Sequence, residues 1–418
     1  MTNAEPTPDP SAAQTRGPLS GLRVLDFTRV LSGPFTTMVL GDLGAEIIKI
    51  ERPGKGDDSR YSGPKSAGES THFMTANRNK KSVVLDLGHP DGRRVALELA
   101  AHCDVAIDNF RPGVMARLGL DHEALHKVNP KLVACSISGF GSTGPMRDRA
   151  AFDVIAQALT GAMAVTGEPD GGSVRLGIPM GDLAAGLYAI IAILAAVHER
   201  DVTGCGSAID IGMYDSMIGL MHYYITDYIL TGREPARVGS GNPSIFPYGA
   251  FRVADGELII AAFQTQFWRR LCDVLGLPEL SRDERFATND LRVANRDELT
   301  EIMAAVLLTR TRADWSAALD AADIPNASVM SVGEVVANPQ TTARGMVEEF
   351  VHPLAGRLPV TGRPIKFVGR ERTPLKSAPL LGEHTDLVLR ELLAYTDEDI
   401  ASLAKAGVVG LMTTPAEI

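Results

Sequence analysis

Basic charge is in short supply in this chain: 41 Lys and Arg stand against 51 Asp and Glu, for a formal net charge of −10. A protein that grips nucleic acid without regard to sequence needs a basic face, which speaks against that class, although a local group of arginines could still hold an anionic ligand. Cysteine is scarce as well. Cys103, Cys135, Cys205 and Cys272 lie far apart with no CxxC spacing, which argues against a disulfide framework or a zinc site and leaves reduced core thiols. Residues 1–19 are rich in Pro, Ala, Thr and Asp and contain no apolar stretch of signal-peptide type. They are expected to form a disordered tail, and the protein to be cytoplasmic. The longest apolar run, 183–197, is bracketed by Asp182 and His198-Glu-Arg200 and falls short of the ~18 residues that a membrane span requires.

What is present reads as an α/β protein. With 418 residues there is room for roughly two or three domains. Strand patterns at 22–27, 46–50, 82–87, 105–108 and 132–137 alternate with helix patterns at 34–43, 92–102 and 124–128, which predicts a mostly parallel sheet covered by helices. A strand at 208–211 and one long helix at 214–230 follow. From Gly232 the texture changes: the flexible Gly239-Ser-Gly-Asn-Pro243, strands at 248–253 and 257–262 and a helical region over 267–319 suggest a smaller α+β unit. Residues from Pro353 onward add short strands and a final helix near 386–393.

The segment Gly177-Ile-Pro-Met-Gly-Asp182 places one carboxylate behind a glycine at the mouth of that long apolar run. The run is apolar on every face, as expected of a buried helix, and Asp182 is its expected N-cap. A capping aspartate accepts backbone N–H groups and feels the positive end of the helix dipole, so it should stay ionised where water is scarce. That suits a nucleophile, and Gly181 and Gly186 would let backbone approach a reacting carbonyl. An ordinary helix cap is the competing reading.

Two motifs are set aside. His122-Glu-Ala-Leu-His126 matches HExxH, but Asn129-Pro130 ends the helix and no third ligand follows closely. Ala124, Leu125 and Val128 form its expected buried arc. Gly139-Phe-Gly-Ser-Thr-Gly144 matches GxGxxG after a strand, yet Pro145 and Arg147-Asp-Arg149 follow where a helix should start, which predicts a tight loop.

Several segments together resemble the class III CoA-transferases, the CaiB/BaiF family: Leu22-Arg-Val-Leu-Asp-Phe-Thr-Arg-Val-Leu-Ser-Gly-Pro34, Ile48-Lys-Ile-Glu-Arg-Pro-Gly54, Asn77-Arg-Asn-Lys-Lys-Ser82, Asn109-Phe-Arg-Pro-Gly113 with Arg117-Leu-Gly119, Ser138-Gly-Phe-Gly141, the Asp182 segment and Pro379-Leu-Leu-Gly-Glu-His-Thr385. The resemblance implies a Rossmann-like large domain built from N- and C-terminal segments, a smaller inserted α+β domain and an interlocked homodimer. The corresponding bounds are a tail over 1–19, a large CoA-binding domain over 20–213, a linker helix over 214–231, a small domain over 232–340 and a returning segment over 341–418.

It further implies Asp182 as nucleophile and Leu31, Ser32, Arg52, Leu85, Asn109, Phe110, Arg111, Arg117, Phe152 and Asp153 as contacts to CoA. Coenzyme A is then a substrate, and no tightly bound cofactor, metal, nucleic acid or membrane is implied. The alternative within the family is a 2-methylacyl-CoA racemase, which uses a histidine and a glutamate where this chain has Ala151 and Phe152 and then Gln264. Without that acid/base pair, CoA transfer is favoured. Asn242-Pro-Ser-Ile-Phe-Pro-Tyr248 is similar to the dicarboxylate-using branch, in which succinyl-CoA is a frequent donor.

Overall fold

The computed structural model describes residues 17–412. The expected tail therefore lies outside the described residues up to position 16. Residues 17–19 are held in place: Leu19 N–H donates to the Leu43 carbonyl at 3.0 Å, and Gly17 packs so closely on Leu43 and Gly44 that a Cβ would sit 2.4 Å from the Leu43 oxygen.

By compactness the described chain divides into two units, one of residues up to 159 with 178–220 and 340 onward, the other of 160–177 and 221–339. The first is built on a seven-stranded sheet in the order Val409–Gly410, Lys80–Leu85, Glu46–Glu51, Arg23–Asp26, Val105–Asp108, Val133–Ser138, Ala208–Gly212. All pairings are parallel except that of Val409–Gly410 with Lys80–Leu85. Strands covered on both faces read as continuous apolar runs, and Val24, Leu25, Ile48, Val83 and Val105 have no exposed surface. The first strand, Arg23–Asp26, sits centrally. The chain winds from it to one side and then returns to the other, with Val24 beside Val105. Between those two strands the winding direction reverses, and loops leaving the carboxyl ends at such a point open a crevice for a ligand.

The crevice loop is held from below by charge. Asp26, Lys49 and Lys80 belong to strands yet have side chains of zero exposure. Lys80 Nζ lies 3.2 Å from Asp26 Oδ2 and donates to the Pro34 carbonyl; Lys49 Nζ lies 2.9 Å from Asp57 Oδ2 and donates to the Thr28 carbonyl. Burial works against both carboxylates, but the lysines keep Asp26 and Asp57 below the usual carboxylate range. Asp57 Oδ1 in turn accepts the Val30 N–H at 3.1 Å. Val30 has φ of +69°, a region that disfavours a β-branched residue.

The expectation that the apolar run is too short for a membrane span is corrected: the Met180–Thr203 helix, 24 residues long, is long and apolar enough to cross a membrane by length and composition. Here Gly181, Ala184, Ala185, Gly186, Ala189, Ile190, Ile193 and Ala196 are buried, while Leu187 and Ile191 are 51% and 63% exposed. The expectation of burial on every face is thus corrected: one side packs on the unit and the other remains an apolar stripe. Gly186 is the point of closest approach. A Cβ there would lie 2.8 Å from Phe35 Cδ1 and 3.1 Å from the Ser32 carbonyl oxygen, and the Thr36 hydroxyl donates to the Gly186 carbonyl. This glycine serves contact with the Ser32–Asp42 helix rather than access to a reacting carbonyl.

The second unit has a three-stranded antiparallel sheet, Asn326–Ser328, Gly256–Ala261 and Tyr248–Val253, packed around Trp268, Phe286, Met303 and Trp315. The helical stretch expected over 267–319 is four α-helices and two short 3-10 turns. The single helix expected over 214–230 is two, Met213–Leu220 and His222–Thr231, and the division between the units falls between them. The C-terminal segment adds a hairpin, Val347–His352 with Gly356–Thr361, then the Thr385–Leu393 helix. That helix is not the last. Asp397–Lys405 follows, started by a reciprocal capping box between Thr396 and Asp399.

Candidate functional site

Two adjoining pockets open at the carboxyl ends of the strands, at the reversal point. The larger, about 560 Å³, is lined among others by Arg52, Leu85, Asn109, Phe110, Arg111 and Phe152. The smaller, about 200 Å³, is lined among others by Leu31, Ser32, Asn109, Phe110, Arg111, Phe152 and Asp182. Arg29, Asn109, Phe110, Arg111, Ala151 and Phe152 border both, so the two form one cleft. Nine of the eleven residues singled out from the sequence thus meet on one cleft. Arg117 and Asp153 line neither pocket. Arg117 is exposed on the Val114–Leu118 helix, folded back over Gly113.

The residues differ in what they offer. Asn109 spends its amide on the chain itself: Oδ1 accepts the Arg29 N–H at 2.8 Å and Nδ2 donates to the Arg29 carbonyl at 2.7 Å. It staples the loop that brings Leu31 and Ser32 to the cleft. The Arg29 guanidinium lies over the Phe110 ring at 4.9 Å, a cation–π arrangement that fixes both. Leu85 lines the larger pocket but is 1% exposed and belongs to the main apolar core. Arg52 pairs with Asp58 at 2.5 Å in an exposed setting, where screening keeps such a pair weak and open to exchange.

Asp182 is not the cap of its helix. Pro179 occupies that position and offers no side-chain bond, so Asp182 sits in the first turn. The capping oxygen comes from Asp153: its Oδ1 accepts the Gly181 N–H at 2.7 Å, while Oδ2 accepts from Gln157 Nε2 at 2.7 Å. A Cβ on Gly181 would lie 3.1 Å from that Oδ1, so the glycine permits the approach. Asp182 is consequently not held fully ionised, as a capping aspartate would be. Burial first and the Asp153 charge second push its pKa up to about 6, with hydrogen bonding from Ser32 working the other way. The result is a half-buried carboxyl that is less readily ionised than an ordinary one yet still mostly an anion at neutral pH, which lies above that pKa.

The CoA-transferase family III model matches residues 19–385. The chain belongs to that family. This transferase is 42% identical over 393 residues to the succinyl-CoA:glutarate CoA-transferase of Mus musculus, covering 94% of this chain and 90% of the mouse protein. It is 38% identical over 385 residues to the succinate–glutarate CoA-transferase of Agrobacterium fabrum, covering 90% and 96%. A CaiB/BaiF family protein from Brucella suis of known crystal structure superposes with a TM-score of 0.81 at 38% identity, covering 90% of this chain and all of that one. Kinship with named CoA-transferases favours CoA transfer over the racemase alternative.

Three arginines of the transferase's cleft were not among the candidate residues singled out from the sequence, although the loop after Gly139 was read there as a tight one. Arg29, Arg147 and Arg149 line the smaller pocket. The last two stand in the GxGxxG loop, which does form a tight turn with Gly141 and Gly144 at φ of +77° and +81°. Asp108, at the end of its strand, is buried, which pushes its pKa up to about 6 despite bonds from the Ser136 hydroxyl and the Phe110 N–H. The HExxH helix starts on Asp121, which accepts the Ala124 N–H. Its buried residue is Leu125 alone; Val128, expected inside, is 41% exposed, because the helix ends there and packs through a single turn. His126 Nε2 lies 2.8 Å from the Leu132 carbonyl, a partner that fixes the ring.

Proposed function

We propose that this transferase moves CoA from a short dicarboxyl-CoA, succinyl-CoA in the first place, to a carboxylic acid such as glutarate, with Asp182 as the nucleophile. The observation that carries the reading is the position of the Asp182 carboxylate on the small pocket that continues into the larger, arginine-bordered one. A thioester can lie with its CoA moiety in the large pocket and its acyl carbon at Asp182. The names of the mouse and Agrobacterium relatives support the choice of substrates.

The chemistry balances without an added cofactor. An Asp182 oxygen attacks the thioester carbonyl and CoA leaves as thiolate, giving a mixed anhydride. The thiolate attacks the aspartyl carbonyl, the donor acid leaves as carboxylate, and an aspartyl-CoA thioester remains. The acceptor carboxylate attacks that thioester and again expels the thiolate, which takes the acceptor's acyl carbon and frees the Asp182 carboxylate. A weakly solvated carboxylate is the more reactive nucleophile, and a closed pocket protects the anhydride from water. Arg52 and Arg111, which border the larger pocket, suit the phosphates of CoA through their planar guanidinium groups.

Replacement of Asp182 by Ala or Asn tests the proposal. Exchange should disappear while CoA still binds, and borohydride or hydroxylamine added to the working wild type should mark Asp182. A variant with ordinary turnover overturns it.

We also propose that two chains form the interlocked homodimer that the family resemblance implies. The apolar stripe of Leu187 and Ile191 supports a covering surface. Sedimentation of the purified protein as a monomer at micromolar concentration would refute it.

A further inference from the structure

We infer that Arg147 and Arg149 receive the distal carboxylate of a dicarboxylic substrate, the one that does not react at Asp182; the inference rests on the transferase reading above. The cations around the cleft divide by position. Arg52 borders only the larger pocket, Arg29 and Arg111 border both, and Arg147 and Arg149 border only the smaller one, together with Asp182. Those that border the small pocket alone are out of place for CoA phosphates and adjoin the end where the acid reacts.

Their bonding leaves them free for an anion. Among the described residues, the hydrogen-bond partner of Arg149 Nη1 is the Met146 sulfur at 3.9 Å. Arg147 lies 3.2 Å from Asp148, with side chains 57% and 76% exposed, and exposed pairs of that kind hold weakly. Around the small pocket the carboxylates are Asp58, which faces Arg29 and Arg52, and Asp182 itself. The loop that carries the two arginines is nevertheless anchored. Ser142 donates to Asp210 Oδ2 through its backbone N–H at 2.8 Å and its hydroxyl at 2.6 Å. At the loop's base Gly139 meets Ala151 so closely that a Cβ on the glycine would lie 2.3 Å from that of the alanine. Tied at both places, the loop returns its guanidinium groups to the cleft mouth.

A dicarboxylic acid brings two charges to this pocket. One is consumed at Asp182, and the other stays ionised through both halves of the exchange. Near a carboxylate nucleophile that second charge is repelled unless a cation meets it, and a guanidinium meets a carboxylate in bidentate fashion. A monocarboxylic acid has no such need, so the loop discriminates between the two classes.

The test compares wild type, Arg149→Met, Arg149→Lys and the Arg147→Met/Arg149→Met pair, with glutarate and butyrate as acceptors. The kcat/KM ratio of glutarate to butyrate should fall about tenfold or more in the Met variants, through KM for glutarate. It should recover in part with Lys, while inhibition by free CoA stays unchanged. Equal losses for both acids, or an unchanged ratio, overturn the assignment. Direct calorimetric binding of glutarate to the CoA-loaded proteins separates this idea from the transferase proposal. Binding that depends on Arg149 without turnover leaves the carboxylate site standing and removes the reaction; turnover with binding indifferent to Arg149 does the reverse.

Discussion

Asp153 Oδ1 accepts the Gly181 N–H at 2.7 Å, one residue ahead of Asp182. The same carboxylate therefore secures the start of the helix that carries Asp182 and raises the Asp182 pKa through like charge. Asp153→Asn separates these effects, because an amide oxygen can still accept that N–H but carries no charge. Asp153→Ala removes both and should lower stability by about 1 kcal/mol, the usual worth of a cap. Thermal unfolding of the two variants checks this: equal melting temperatures for Asn and Ala would dismiss the capping role.

The pH dependence of turnover follows from the same pair. As the proposed nucleophile Asp182 has to be ionised to attack, and its pKa is raised to about 6. Activity should accordingly rise with pH through an apparent pKa near 6 and level off above it. With Asp153→Asn the like charge is gone, so this acid limb should move to lower pH. A pH–rate profile whose limb stays put, or moves up, contradicts the electrostatic link.

Gly186→Val places a branched side chain where a Cβ alone would lie 2.8 Å from Phe35 Cδ1. The Ser32–Asp42 helix has to withdraw, at a cost of about 1–3 kcal/mol as in other overpacked contacts. Because that helix begins with Ser32 beside Asp182, kcat should fall as well. Denaturant unfolding and steady-state rates measure the two effects; wild-type values for both would mean that the helices do not touch as described.

Lys49→Met leaves Asp57 buried without its cation, and breaking a buried pair from one side costs about 3–5 kcal/mol. The Thr28 carbonyl and, through Asp57, the Val30 N–H lose their anchor. KM for acyl-CoA should rise even at temperatures where the variant is folded. A loss of less than about 1 kcal/mol in urea unfolding would show that the pair is not what holds the loop.

Arg111 lines both pockets. Arg111→Ala should raise KM for acyl-CoA about tenfold and flatten its dependence on salt, since a phosphate contact is lost. An unchanged salt response in initial-rate assays would assign the phosphates to other residues.

The sheet was legible because its strands are covered on both faces and stand as apolar runs between turn residues; Val105–Asp108 falls where the pattern puts it. Asp182 was legible as a residue but not as a position. Its helix starts at Met180, and the capping oxygen comes from Asp153, 28 residues before the Gly181 whose N–H it accepts; nothing local encodes that meeting. The same holds for the Lys49–Asp57 pair, where a lysine inside a strand pattern looks like an outward-facing residue until the fold closes over it. The break between Met213–Leu220 and His222–Thr231 carries neither Gly nor Pro at Met221, so an apolar stretch read as one helix. The short Asp153–Leu159 helix did leave a trace, an aspartate at its first position with Gln157 one turn on.

The margin of the sheet closes late. Val409 pairs with Leu85, and the Val84 N–H is met by the Thr385 hydroxyl across 301 positions of sequence. A ribosome must therefore release the chain as far as Gly410 before the strand Lys80–Leu85 gains its outer neighbour. Until then that edge has no outer strand, and an unpaired edge is a template on which another extended segment can pair.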